Sequence, residues 1–111
     1  MSSLTKQRCL PCEGGVDPLD RRAAENLLAQ ARGWQLNDSA TEISRNFDFK
    51  NFYETMAFVN AVAWIANRED HHPDLEVGYN RCRVRYHTHA IRGLSLNDFI
   101  CAAKINDLIG A

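Results

Sequence analysis

The chain carries four histidines, and they fall into two tight pairs: His71 beside His72, and His87 with His89 across Thr88. Each pair sits where a regular element is expected to end. The first belongs to Asn67-Arg68-Glu69-Asp70-His71-His72-Pro73, which follows a long apolar run. Pro73 cannot continue a helix and pushes His72 toward extended backbone angles, so His71 falls at or just past a helix C-terminus. The partial negative charge there, with Glu69 and Asp70 nearby, favours a protonated imidazole. A histidine held in that way can serve as a general acid near neutral pH. The second pair closes an alternating run. Period-two geometry puts His87 and His89 on the side of Arg81, Arg83 and Arg85, away from the packed core unless the strand stops early. Imidazole also suits several metals. Neighbouring side chains at His71 and His72 diverge, however, and no Asp or Glu is obviously shared as a further ligand. An acid–base site is therefore preferred over a metal site.

The bulk properties narrow the rest. A chain of 111 residues is one domain and buries about 65% of the surface its unfolded form exposes, enough for a core without staples. A formal charge of -1 gives no whole-chain case for nucleic acid or an acidic membrane. Glu54, Thr55 and Asn60 interrupt the longest apolar stretch, so no transmembrane helix is expected. Lys6 and Arg8 precede no apolar segment of the kind a secretion signal needs. A soluble cytoplasmic protein is expected, with Cys9, Cys12, Cys82 and Cys101 as reduced thiols.

Residues 1–16 read as a flexible tail ahead of a domain spanning 17–111. The tail contains Cys9-Leu10-Pro11-Cys12, half of a zinc site with no second Cys pair to close it. Asp17 as N-cap and Pro18 at the first helical position open a first helix, which Gly33 stops. Trp34 to Leu36 and Thr41 to Phe49 form an antiparallel hairpin. Arg45 interrupts its apolar face, which suggests an edge or a partly open position. Asn51 to about Glu69 is a second helix with two apolar stripes: Phe52, Met56, Val59, Ala63 and Ala66, then Phe58, Val62 and Ile65 with Trp64 beside them. One stripe seats a helix on a sheet, and the other points to a subunit interface. Leu75 to Tyr79 and Cys82 to Thr88 are the third and fourth strands. Ser95 and Asp98 form a capping box for the last helix, with Leu94 and Phe99 as its hydrophobic staple. The element order is therefore α-β-β-α-β-β-α.

These residues also carry a family resemblance. His71-His72-Pro73, five residues to Tyr79, nine more to His89 and eight more to Asp98 resemble the signature of the pterin-4a-carbinolamine dehydratases. The similarity in pattern runs from about Phe47 to Ile109 and is looser before that. It implies an α+β fold in which a four-stranded antiparallel sheet carries three helices on one face. It implies a homodimer or homotetramer built partly through the 51–69 helix. It also implies a reaction: loss of water from a 4a-hydroxytetrahydropterin to give a quinonoid dihydropterin. That product, once reduced, serves an aromatic amino acid hydroxylase again, in bacteria phenylalanine hydroxylase. The pterin is substrate and no cofactor is implied. By the same resemblance His71 and His89 flank the pterin as general acid and base, and His72 binds and orients it. Asp70, Pro73, His87 and Thr88 line the site. Asp98 fixes the far end of the pterin or caps its helix. The chain departs from the family pattern at Asn67, usually a carboxylate, at Leu75, often aromatic, and at His87 and Ala90. The other reading is a protein-interaction module. Animal members act as dimerisation cofactors of a homeodomain transcription factor, and some relatives that lack the histidines are assembly factors. Fold alone does not choose between these. Intact His71, His72 and His89 favour the enzyme.

Overall fold

The computed structural model describes residues 3–11 and 16–110. Four strands, β1 (Gln35–Leu36), β2 (Ile43–Asp48), β3 (Asp74–Val77) and β4 (Arg81–Tyr86), form one antiparallel sheet in the order β1-β2-β4-β3. Three α-helices, α1 (Arg21–Leu28), α2 (Phe52–Glu69) and α3 (Leu96–Leu108), complete the α+β fold in the expected order. Alternation along the strands decides which sheet face packs. Ile43 and Phe47 of β2 and Cys82, Val84 and Tyr86 of β4 are buried, while Asn46, Asp48, Arg81 and Arg83 between them are exposed. The register pairs Ile43 with Tyr86 and Phe47 with Cys82, so the buried residues share one face.

Against that face lie Phe58, Val62 and Ile65 of α2 and the buried run Phe99 to Ala103 with Ile105 of α3. Phe47 and Phe58 pack with ring centroids 4.6 Å apart, and Trp34 closes the end of the core against Phe47 and Tyr86. Arg45 occupies the inner face between Ile43 and Phe47. Its guanidinium lies over the Phe47 ring and donates to the Arg32 carbonyl and to Asn106 Oδ1, so its charge is partnered. Gly33, with φ +85°, makes room for it: a Cβ there would lie 2.8 Å from the guanidinium carbon.

The expected helix starts and strand ends are shifted in four places. α1 is capped by Asp20, whose carboxylate accepts from the Ala23 N–H at 2.8 Å, and not by Asp17. The cause is tertiary: Leu19 N–H donates to the Leu94 carbonyl at 2.8 Å, which ties the chain before Asp20 to another segment, outside the helix. α1 ends at Leu28, and Gly33 serves the turn into β1. β3 ends at Val77 in a tight turn in which Gly78 N–H donates to the Arg81 carbonyl, so Tyr79 is a turn residue stacked on Phe52. β4 stops at Tyr86, and the chain turns into a short 3₁₀ segment at His89–Ile91. α2 runs over the expected range with Asn51 as its N-cap.

The segment expected as a flexible tail is packed over its described part. Ser3–Lys6 forms a 3₁₀ turn, Leu4 is buried in the core cluster, and residues 8–10 bond to α2 and α3. A short segment without periodicity is ordered here by buried polar partners on other elements, which no local pattern announces. Cys12 of the Cys-x-x-Cys pair lies outside the described residues. Of α2's two stripes, Phe58, Val62 and Ile65 face the core, so a charge at Val62 or Ile65 would disrupt the core and not a contact between copies. In the other stripe Ala66 is buried, Met56 and Val59 are half-buried, and Phe52 and Ala63 are exposed; Tyr53 and Trp64 stand exposed as well. No helix among the described residues is long and apolar enough to cross a membrane.

Candidate active site

α2 ends in a way that aims His71. Asp70 adopts the left-handed conformation (φ 52°), its N–H reaches the Asn67 carbonyl, and the His71 N–H reaches back to the Ala66 carbonyl at 3.1 Å. This is a Schellman closure with Asp70 in the position usually taken by Gly or Asn. It reverses the chain so that His71 leaves the helix toward the sheet. There its ring stacks on Tyr86, centroids 5.3 Å apart and planes 7° apart, and Tyr86 Oη donates to the His71 carbonyl at 3.1 Å.

The stacked ring meets a buried carboxylate. His71 Nε2 lies 2.6 Å from Asp98 Oδ1. Asp98 is fully buried, and its other oxygen, Oδ2, accepts from Thr88 Oγ1 at 2.8 Å and from the Ser95 N–H at 2.9 Å. The last of these bonds belongs to the capping box that starts α3. Burial on its own would pull the His71 pKa down. The hydrogen bond and charge of Asp98 outweigh it, with help from Cys101 and Asp70, and hold the imidazolium above the ordinary histidine range. Since Nε2 is committed to Asp98, Nδ1 is the ring nitrogen left for a ligand.

The second histidine pair reaches the same place because β4 ends early. His87 Nε2 lies 3.3 Å from His89 Nδ1, with the two rings edge to face at 4.2 Å. His87 Nδ1 is 3.9 Å from Glu42, which also faces Arg85. Between the histidines Thr88 turns inward to Asp98. His71, His72, Asp70 and Pro73 from the end of α2, and His87, Thr88 and His89 from the end of β4, line one cavity of about 650 Å³. All seven were candidates from sequence. Asp98, the eighth, lies behind His71 and Thr88 and does not line the cavity wall. Of the two roles expected for it the helix cap is present, and its other oxygen bonds His71.

Sequence reasoning missed Tyr86, whose place in an alternating strand signalled only core, and Asn97, which has the look of a polar first-turn residue. It also missed Cys9, Leu10 and Pro11, which join the cavity lining from the N-terminal segment. Cys9 Sγ lies 3.6 Å from Cys101 Sγ. The hydrogen bond to Cys101, followed by burial, pushes the Cys9 thiol well above the usual range, so it is a neutral thiol and a poor nucleophile. Asn67, where the family pattern has a carboxylate, is exposed, and Glu69 is turned the other way, toward Arg8 and Lys104. Neither joins the His71–Asp98 pair. Leu75 is half-buried against the core. Among the described residues no group of three or more His, Cys, Asp or Glu side chains could hold a metal ion.

Comparison with known proteins bears on what this cavity does. The family model described as Pterin 4 alpha carbinolamine dehydratase matches residues 17–108. A protein of Nitrosomonas eutropha, provisionally named pterin-4-alpha-carbinolamine dehydratase, is 64% identical over 107 residues, covering 96% of this chain and 93% of its own. A protein of Legionella pneumophila with the same provisional name is 57% identical, covering 97% of this chain and 96% of its own. Among solved structures, a transcriptional coactivator/pterin dehydratase from Brucella melitensis superimposes with a TM-score of 0.80 at 33% identity, covering 85% of this chain and all of its own. A pterin dehydratase-like protein identified as a RuBisCO assembly factor in the alpha-carboxysome shares the fold alone, with a TM-score of 0.62 at 18% identity.

Proposed function

The chain belongs to the pterin-4a-carbinolamine dehydratase family, and from that premise we propose that it eliminates water from a 4a-hydroxytetrahydropterin to leave a quinonoid dihydropterin. The observation that carries this reading is the stacked, carboxylate-bonded His71 facing the same cavity as His87 and His89. The elimination breaks the C4a–O bond. It needs one proton delivered to the departing hydroxyl and one taken from N5, and water leaves with both electrons of the broken bond. His71, held protonated by Asp98, supplies the proton to the hydroxyl through Nδ1. His89 takes the N5 proton, and the neighbouring His87 ring fixes its orientation through Nδ1, leaving Nε2 for the substrate. His72, on the cavity rim, orients the pterin together with Asp70 and Thr88. The pterin is the substrate, and the chemistry calls for no cofactor and no metal. The reading extends to the cell: the dehydrated pterin, after reduction, returns to phenylalanine hydroxylase. It also extends to assembly, with the exposed outer face of α2 as the contact between copies.

The test is stopped-flow dehydration of 4a-hydroxytetrahydropterin, generated in place by a phenylalanine hydroxylase. Acceleration that persists with a chelator and falls by about 10²-fold or more in His71→Ala or His89→Ala is expected. A folded protein that gives no acceleration would move the reading to a protein-interaction module on the same fold.

A further inference from the structure

The segment at residues 8–11 precedes the stretch that the family model matches, residues 17–108, yet Cys9, Leu10 and Pro11 of it line the cavity. It is held by two buried polar side chains. Glu69, the last residue of α2, has a side chain only 2% exposed; Arg8 Nε lies 3.0 Å from it. Its other oxygen accepts the Cys9 N–H at 2.8 Å. Burial alone would raise the Glu69 pKa, but these two partners and Lys104 hold it below the usual carboxylate range. Asn97, in the first turn of α3, takes both backbone groups of Leu10: its Oδ1 accepts the Leu10 N–H at 3.1 Å and its Nδ2 donates to the Leu10 carbonyl at 2.7 Å. Removing the segment would strip a buried carboxylate and a buried amide of these partners, which is costly. The two anchors flank the reactive pair, since Glu69 stands two residues before His71 and Asn97 immediately before Asp98.

What the anchors present is apolar. Outside residues 9–11 the cavity lining is charged or polar except for Pro73 and Ala90. Leu10 is 73% exposed while its backbone is pinned on both sides. A large apolar side chain fixed at a cavity mouth, and left exposed by the described residues, is placed to be covered by a ligand. A flat heteroaromatic ring system needs polar partners at its edges and an apolar surface against its face.

Resting on the dehydratase reading, we propose that residues 8–11 are a substrate-binding wall, in which Leu10 and Pro11 contact the pterin and Glu69 and Asn97 act as positioning residues. The wall holds substrate and transition state alike, so its loss raises KM and leaves kcat in place.

The experiment uses the full chain and its Leu10→Ala and Asn97→Ala variants. Each is titrated with a 6-substituted 7,8-dihydropterin as a non-reacting probe, and each is assayed for dehydration. Leu10→Ala keeps both backbone anchors and is expected to raise the probe Kd and the KM about fivefold with kcat within about twofold. Asn97→Ala, if folded, is expected to raise both by about tenfold or more. An unchanged Kd in Leu10→Ala overturns the wall, and so does a lower Kd, which would make the segment a plug. Wild-type protein that binds the probe without turning over substrate removes the dehydratase reading and leaves the Kd ratio to decide the wall. Wild-type protein that binds no dihydropterin overturns both.

Discussion

Replacing Asp98 by asparagine tests whether this carboxylate governs the protonation of His71. The change is isosteric but alters what each oxygen site can do. In the native site Oδ1 faces His71 Nε2 at 2.6 Å, and Oδ2 accepts from Thr88 and Ser95. The amide of the Asp98→Asn variant has one acceptor oxygen. The Ser95 N–H and the Thr88 hydroxyl both seek it, so the amide nitrogen is turned toward His71. Nε2 must then accept, the ring proton moves to Nδ1, and the imidazole is neutral. The lost charge-assisted bond is worth about 1.5–3 kcal/mol. What remains is burial, the largest single influence on His71, against the smaller upward pull of Cys101 and Asp70, so the direction of its shift is expected to reverse. Each pKa unit between the two forms is about 1.4 kcal/mol.

The sign of the stability effect follows. In the native protein the His71 pKa is raised on folding. Its contribution is fully present below the unfolded histidine value and is lost as pH rises through the folded value. In Asp98→Asn the folded value is depressed, and stability is lost as pH falls toward and below the unfolded value. The difference between the two proteins in urea midpoint is therefore expected to widen from about pH 8 to about pH 5.5. NMR titration of the His71 ring gives the pKa directly, and kcat at neutral pH is expected to fall by about 10²-fold. A His71 titration unmoved or moved upward in the variant, or an unchanged pH profile of kcat, refutes the coupling.

Tyr86→Phe keeps the ring under His71 and removes only the hydroxyl that bonds the His71 carbonyl. It is expected to cost about 1–2 kcal/mol in urea unfolding and to leave kcat within about twofold. A loss of kcat as deep as that of Asp98→Asn would place the hydroxyl in the proton path. Two substitutions in α2 separate core from interface. Val62→Asp puts a charge at a position with no exposure and is expected to unfold the chain in circular dichroism. Trp64→Glu, at a position 62% exposed in the single chain, is expected to keep the fold and lower the sedimentation coefficient. An assembly unchanged by Trp64→Glu would remove this face from the contact between copies.

The elements legible in the sequence were those whose signals are local. α2 and α3 begin where Asn51 and Ser95 cap them, and the alternation of Cys82, Val84 and Tyr86 with three arginines marks β4. The places that were not legible depend on distant partners. Asp17 and Pro18 satisfy every local rule for a helix start, yet Leu19 is bonded to Leu94 and the helix starts only after Asp20. Residues 3–11 show no periodicity, because their order comes from Glu69, Asn97 and Lys104 on other elements. The two stripes of α2 were both visible, but which of them meets the sheet depends on helix rotation, which the sheet fixes and composition does not.

Asp98 shows why the site itself was only partly legible. Its spacing from Ser95 identifies a capping box, and that motif accounts fully for a carboxylate at this position, so a second role looked like an alternative to the first. In the structure the roles are divided between its two oxygens: Oδ2 takes the cap and the Thr88 hydroxyl, and Oδ1 takes His71. The cap fixes the carboxylate's orientation at the start of α3, and that fixed orientation is what points Oδ1 at the imidazole. The Schellman turn at Asp70 does the same for His71 from the other side. Reactive groups that must keep a 2.6 Å separation are thus placed by the ends of two helices, where backbone geometry is set by capping and not by flexible loop sequence. It follows that weakening either cap should loosen the pair before it melts the helix. Changes at Ser95 or Asp70 would therefore register in the His71 titration sooner than in the far-ultraviolet spectrum.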